Sequence, residues 1–269
     1  DEDIQKYLDG SSPDTHPDTD WFDLIRKSAP MQQYNLSATG GTEKIRYATS
    51  LSFLNQEGIT PSDGFNRYNF RSNIDADVTN TTRFSFDISY RKQKRESLGR
   101  GDELFRWLNT QPNKAPLKFS NGGVASGPAY IALTENGYRR NEVEALRTRV
   151  EINQQIPFMD GLSVRLISAF DDTQTDNKNW YYPVVPFYTA DANGNLTAQS
   201  LPANSLDENT NDEQAITLQA HLNYEKTFGK FNVSALALYT QTETTWEYLG
   251  GHREGYTIGI DEIDFGGAV

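Results

Sequence analysis

The 269-residue chain has no cysteine. That removes disulfide scaffolds, thiol nucleophiles and thiolate-bound zinc, and leaves the redox compartment open. Histidine is scarce: His16, His221 and His252 stand at none of the short spacings that bring two imidazoles onto one metal, so no metal site is expected. No window approaches the roughly 20 consecutive apolar residues of a spanning helix. With a mean hydropathy of −0.69, any passage through a membrane has to be made by strands. Basic residues are in the minority, 25 Lys and Arg against 37 Asp and Glu, for a net charge of −12. This balance argues against a nucleic-acid partner held through its phosphates. The opening DEDIQKYLDG has neither a basic nor a long apolar stretch, so no signal peptide is read there. There is no P-loop, dinucleotide fingerprint or nucleophile elbow, and no two of the many carboxylates are singled out as a hydrolytic pair. No catalytic residue and no cofactor are expected.

What the sequence does contain is alternation. Residues 1–32 read as two short helices, DEDIQKYL and TDWFDLIRKSA, the second capped by Thr19 or Asp20 and stopped by Pro30. From residue 33 the period becomes two. YNLSATGG turns at Gly40-Gly41 into EKIRYATSLSFLN. RYNFRSNIDADV follows, with Tyr68, Phe70, Ile74 and Val78 on one side and Arg67, Asn69, Arg71, Asn73, Asp75 and Asp77 on the other. It turns at TNTT into RFSFDISYRK. Two more hairpins are centred on IPFMDG and EKTFGK. Long irregular loops are read near 93–141 and 172–211, and the aromatic, glycine-rich stretch from 242 to 269 reads as a further loop.

Alternation alone fits a soluble sandwich as well as a membrane barrel. Three features favour the barrel. The strands run about ten residues or more, as outer-membrane strands do. Short turns alternate with long connections. Aromatics such as Tyr34, Phe53, Tyr68, Tyr90, Phe170, Tyr224, Phe231 and Tyr239 gather near strand ends, where an interfacial girdle lies. On this reading the apolar face meets lipid. The face with Arg67, Arg71, Asp75, Arg83, Arg147, Arg149 and Arg165 lines a wet lumen, its charges paired across strands or holding acidic groups of other parts. About eight strands are visible, too charged inside and too long in the loops for a small closed barrel, so an arc of a larger one is expected.

Two loop motifs are candidates for contact with other molecules. NWYYPVVPFY gathers Trp180, Tyr181, Tyr182, Phe187 and Tyr188, whose rings can pack the loop itself, dock a partner or stack on a sugar. RKQKRE, residues 91–96, is either a solvated strand end or a contact for lipopolysaccharide phosphates. DANGNLTAQSLP begins like a calcium loop, but its glycine falls early and its twelfth residue is Pro202, so a hairpin turn is the expectation.

The segments IQKYLDGSSPDTHPDTDWFDLIRKSAPMQQYNLSATGGTEKIRYATSLSFLNQEGI and RYNFRSNIDADVT, followed in order by IPFMDGLSVRLISAFD and GKFNVSALALYTQTE, resemble the SusC/RagA family of TonB-dependent outer-membrane transporters of Bacteroidetes. The resemblance implies an all-β fold: an antiparallel transmembrane β-barrel segment, about eight strands of a barrel of roughly 22, with long extracellular loops. It implies import of large nutrients, oligosaccharide or peptide, beneath a SusD-like lipoprotein lid. TonB, ExbB and ExbD would supply the energy through a plug, and outer-membrane lipid would surround the wall. Plug, TonB box and closing strands find no match here, so a piece of a transporter is expected, with 1–32 and 242–269 extracellular. A soluble all-β carbohydrate-binding module and a passive porin are the alternatives.

Overall fold

A chain of alternating strands satisfies its backbone by pairing each strand with its hairpin neighbour, and short turns decide the order. The computed structural model describes residues 2–60, 62–99, 101–110, 113–114, 116–120, 123–125, 137–182, 187–191, 195–199 and 203–267. In chain order these form α1 (Glu2–Asp9), a 3₁₀ turn (Trp21–Leu24), β1 (Met31–Gly41), β2 (Ile45–Glu57), β3 (Gly64–Asp77), β4 (Thr82–Leu98) and α2 (Gly101–Thr110). There follow β5 (Val124–Ala125), β6 (Tyr138–Gln155), β7 (Leu162–Tyr181), β8 (Phe187–Ala190), β9 (Leu196–Ala198), β10 (Ser205–Phe228), β11 (Phe231–Glu254) and a last 3₁₀ turn (Ile263–Phe265). Eight strands make one sheet in the order β1-β2-β3-β4-β6-β7-β10-β11, each pair antiparallel. Among the described residues β1 and β11 are each paired on one side only, so the sheet is an open arc with two free edges. The short β5, β8 and β9 form a separate small sheet.

Three expectations are corrected. The loop read near 93–141 is narrower, because β4 continues to Leu98 and β6 begins at Tyr138. The loop read near 172–211 shrinks likewise, with β7 running to Tyr181 and β10 starting at Ser205, and β11 takes residues 242–254 out of the last loop. These stretches pair residue for residue while carrying polar side chains on both faces, so they have no period of two to read. Third, the helix expected in TDWFDLIRKSA is a single 3₁₀ turn, capped by the Asp20 carboxylate accepting the Phe22 N–H at 2.9 Å. It stops at Ile25 because the next amide, that of Arg26, donates to the Ile59 carbonyl at 2.7 Å, a tertiary bond in place of a helical one.

Two small apolar clusters sit at the loop end of the sheet. Trp21, Leu98, Leu104 and Leu108 join the first 3₁₀ turn, the end of β4 and α2. Trp180, Leu206 and Tyr256 join β7 and β10 to the segment after β11. The opposite end is made of tight turns. In the β6–β7 turn Gly161 has φ +88°, and its carbonyl accepts the Glu225 N–H of β10 at 2.8 Å. A Cβ there would lie 2.3 Å from the Glu225 carbonyl oxygen, whereas one at Gly229 (φ +61°) would meet open space. Gly229→Ala is therefore expected to cost the backbone strain alone, about 1 kcal/mol. Gly161→Ala should cost clearly more, and urea melts of the full-length parent with each substitution compare the two.

Candidate functional site

The register assigns each side chain to a face. On one face the apolar run begins, at the loop end, with Tyr34 of β1, Phe53 of β2 and Tyr68 of β3, which lie in one cross-strand row. Their rings touch in sequence, Tyr34 to Phe53 at 6.3 Å between centroids and Phe53 to Tyr68 at 4.8 Å, forming a short aromatic girdle. Below it lie Leu36, Leu51, Phe70, Ile74, Phe86, Val150, Leu218 and their neighbours, many of them exposed although large and apolar. A surface of this kind in water would be an aggregation hazard. Against lipid it is the expected solvent-facing surface.

The upper limit of this belt moves steadily down the register. After Tyr68 it falls on Tyr90 of β4, opposite Phe70 and so two residues lower. It stays level at Leu146 of β6, opposite Tyr90. On β7 it is Phe170, opposite Thr148 and two residues lower again, and on β10 it is Ile216, opposite Phe170. On β11 it is Tyr239, opposite Ala220 and four residues lower. The drops of two, two and four residues accumulate to eight over seven strand steps. With a rise of about 3.3 Å per residue and about 4.8 Å between strands, this slope is a tilt of roughly 40°, inside the ~35–45° of outer-membrane barrels. A flat membrane boundary thus crosses the register at the angle a barrel requires.

Above the belt the same face becomes charged at once. Lys92 pairs with Glu144, Lys94 with Glu142 at 3.7 Å, Arg140 with Glu96 at 3.1 Å and Lys178 with Glu208 at 3.7 Å. Tyr90 marks the boundary and donates its hydroxyl to Glu144 at 2.9 Å. The motif RKQKRE is therefore strand, with Lys92 and Lys94 paired outward to β6.

The other face holds all seven charged residues named for it: Arg67, Arg71, Asp75, Arg83, Arg147, Arg149 and Arg165. Most of these cations are compensated locally. Arg83 binds Asp77 at 2.7 Å, Arg149 contacts Asp87 at 3.6 Å and also pairs with Glu151, Arg165 lies 3.4 Å from Glu151, and Arg147 lies 3.7 Å from Asp171. Asp75 accepts from the Ser85 hydroxyl at 2.6 Å. Higher up, the face carries a neutral ladder in which Asn141 donates to Asn177 at 2.8 Å and Asn177 to Asn209 at 3.0 Å. Beside it on β11, Trp246 and Tyr248 stand about 70% exposed. Both fall in the stretch read from sequence as loop, and only the pairing of β11 with β10 assigns them to this face.

The aromatics of NWYYPVVPFY do not form one group. Trp180 is buried, stacked on Tyr182 at 5.1 Å and met edge-on by Tyr256 at 4.6 Å, so its ring is occupied by the chain's own residues. Tyr181 is half-buried on the opposite face of β7, and Tyr188 is half-buried in the small sheet. Phe187 is placed in β8 by its backbone alone, and residues 183–186 lie outside the described residues. In the DANGNL stretch Asp191 accepts the Asn195 N–H at 2.9 Å, closing a turn, while Asn193 and Gly194 lie outside the described residues. No group of three metal-ligating side chains occurs among the described residues.

The contact of Tyr256 on Trp180 is part of a strap. After β11 the chain folds back over the outer face. Asn204 brackets Tyr256 by accepting its N–H at 2.6 Å and donating to its carbonyl at 2.7 Å. Further along, the Tyr138 hydroxyl donates to Asp261, which holds that carboxyl below its ordinary value of 3.8, and Lys178 at 3.7 Å adds to the effect. A depressed carboxylate contributes stability that is present above the ordinary value and is lost as pH falls through the folded one. Acidification below about pH 4 should therefore release the strap, seen as faster proteolysis within 255–267, and Asp261→Asn should remove that pH step.

An antiparallel arc tilted at roughly 40°, apolar and exposed on one face and charged on the other, is the wall of a transmembrane β-barrel. Known proteins agree. The chain is 39% identical over 104 residues to the TonB-dependent receptor P26 of Formosa agariphila, a match covering 38% of this chain and 10% of that protein. It is 22% identical to the receptor P3 of the same organism over 98% of this chain and 26% of P3. Among solved structures, the RagAB peptide importer in its open-open state superposes with a TM-score of 0.72 at 19% identity, over 94% of this chain and 28% of that one. The closed-closed state gives 0.69. No family model matches the chain. It spans about a quarter or less of the length of these receptors. In sequence the chain is similar to part of these TonB-dependent receptors, and in fold to part of the RagAB importer's chain, which places it as a barrel segment in the outer membrane.

Proposed function

We propose that the parent protein imports large nutrients, oligosaccharide or peptide, across the outer membrane, and that this chain forms about eight strands of its barrel wall. A SusD-like lipoprotein covers the loop end. TonB, ExbB and ExbD drive the cycle through a plug supplied by the parent, and the substrate is moved without chemical change. The observation that carries this reading is the sloping apolar belt, because a soluble carbohydrate-binding module would not expose Leu36, Leu51, Ile74 and Leu218 in a band at barrel tilt. Relatives named as TonB-dependent receptors and a neighbour named as a peptide importer favour energised import over passive diffusion. The test is uptake of labelled oligosaccharides and peptides by cells with and without the parent. Uptake should require the parent and stop when the proton-motive force is collapsed. Uptake that persists after collapse would instead identify a porin.

A further inference from the structure

On the polar face, four arginines differ from the rest. Arg83, Arg147, Arg149 and Arg165 each have a carboxylate within 4 Å. Arg67, Arg71 and Arg91, and Arg95 higher on β4, have none among the described residues, and the Arg67 Nε is buried without a hydrogen-bond partner. In a chain of net charge −12, three uncompensated guanidinium groups in one place are unexpected. The register explains their meeting. Arg67 and Arg71 lie on β3 on either side of Asn69, and Arg91 of β4 is opposite Asn69, so it is the diagonal neighbour of both, about 7–8 Å away. Arg147 of β6 lies in the row of Arg71, separated from it by Ser89.

The residues between them are small. Ser50 and Ser89 flank Arg71, and Ala145 faces Arg91. Large cations alternating with short side chains leave a cleft of about 410 Å³, whose lining contains Arg67, Arg71, Arg91 and Arg147 and no carboxylate. Guanidinium groups grouped in this way can clamp carboxylates by paired charge-assisted hydrogen bonds.

The position of the cleft indicates what reaches it. Arg67 and Arg91 each adjoin a girdle residue, Tyr68 and Tyr90, at the loop-side rim of the apolar belt. Above them the face carries Arg95, opposite Asn141, and the neutral asparagine ladder, and below them the charges are internally paired. A solute descending from the loop end therefore meets Arg95 and then these three guanidiniums, unpaired charges of one sign.

We propose that Arg67, Arg71 and Arg91 form an anion site that takes the carboxylate groups of an acidic cargo at the mouth of the pore. This rests on the importer reading above and narrows its substrate class to ligands bearing carboxylates. The test uses the full-length parent, purified from outer membranes, and matched probes: tetraglutamate against tetraglutamine, and tetragalacturonate against its methyl ester. An acidic probe should bind more tightly than its neutral match, and R67Q/R71Q/R91Q should weaken it by about tenfold or more while Lys94→Gln on the outer face leaves it unchanged. For wild type alone, the affinity for the acidic probe should fall as salt is raised and that for the neutral probe should not. This keeps the question open to refutation if the triple variant fails to assemble. Equal binding of acidic and neutral probes, no binding of either acidic probe, or full affinity in the triple variant would overturn the site. So would a triple variant that binds normally but melts earlier without ligand, since the arginines would then hold the parent's own carboxylates. Proton-motive uptake tests the importer reading separately: a parent that imports yet fails these comparisons loses only this site.

Discussion

Arginine in place of Ile74 should destabilise the assembled barrel by about 2–4 kcal/mol, the cost of a lipid-facing cation near the bilayer midplane. Ile74 sits in the middle of the apolar belt on β3, between Tyr47 of β2 and Phe86 of β4. The arginine has no carboxylate on that face within the belt to pair with, since the acids Asp75, Asp77, Asp87 and Glu151 point the other way. Asn73, one residue before it, lies on the polar face and donates to Asp87. Asn73→Ala removes that bond where water can replace it, so its cost should stay within about 1 kcal/mol. Urea melts of the full-length parent refolded into bilayers measure both. Equal costs at the two positions would mean that the faces have been assigned the wrong way round.

Trp180→Ala should cost about 3 kcal/mol or more, the usual loss when a buried indole is truncated. Its ring is 7% exposed and holds Tyr182, Leu206 and Tyr256 together. The loss should be local. Without the indole, Tyr256 has lost its edge-to-face partner, and the strap 255–267 keeps the Asn204 and Asp261 bonds and the Gly267 N–H to the Glu254 carbonyl. Hydrogen exchange should quicken across 255–267 and the adjoining ends of β7 and β10, and stay unchanged in β1 to β3 on the far side of the arc. Trp180→Phe should restore most of the protection, because a smaller ring still fills part of the site. Because residues 74 and 180 share no neighbour, the two losses should add in the double variant.

Different physical signals governed what could be read from the chain. The tight turns were legible as TNTT, IPFMDG and EKTFGK, because short connections force hairpins whatever surrounds them, whereas the turn read at Gly40-Gly41 lies just beyond these two residues at 42–44, both glycines being paired in β1. The two faces were legible from Tyr68 to Val78, because lipid on one side and water on the other impose opposite residue types at every second position. The loop expected after Gln93 and the one after Asp172 begin close to where the belt ends, at Tyr90 and Phe170, and not where the strands end. Sequence had located the membrane boundary and taken it for the strand boundary.

The cause is that beyond the boundary both faces of the sheet meet water. From Ser205 to Ala215, β10 bonds in full register to β7 and β11 with almost no apolar residue to mark a period. The backbone ladder alone holds that wall, and backbone hydrogen bonding does not select side chains. For the same reason Trp246 and Tyr248 could not be assigned a face, nor Tyr256 a partner 76 residues away in Trp180. By itself the sequence determined the class of fold, the facing of the belt and the chemistry of each face, since these follow from local alternation. Which arginines find a carboxylate, which aromatics are occupied and where the strands stop depended on cross-strand register summed over eight strands, and that exists only once the sheet has formed.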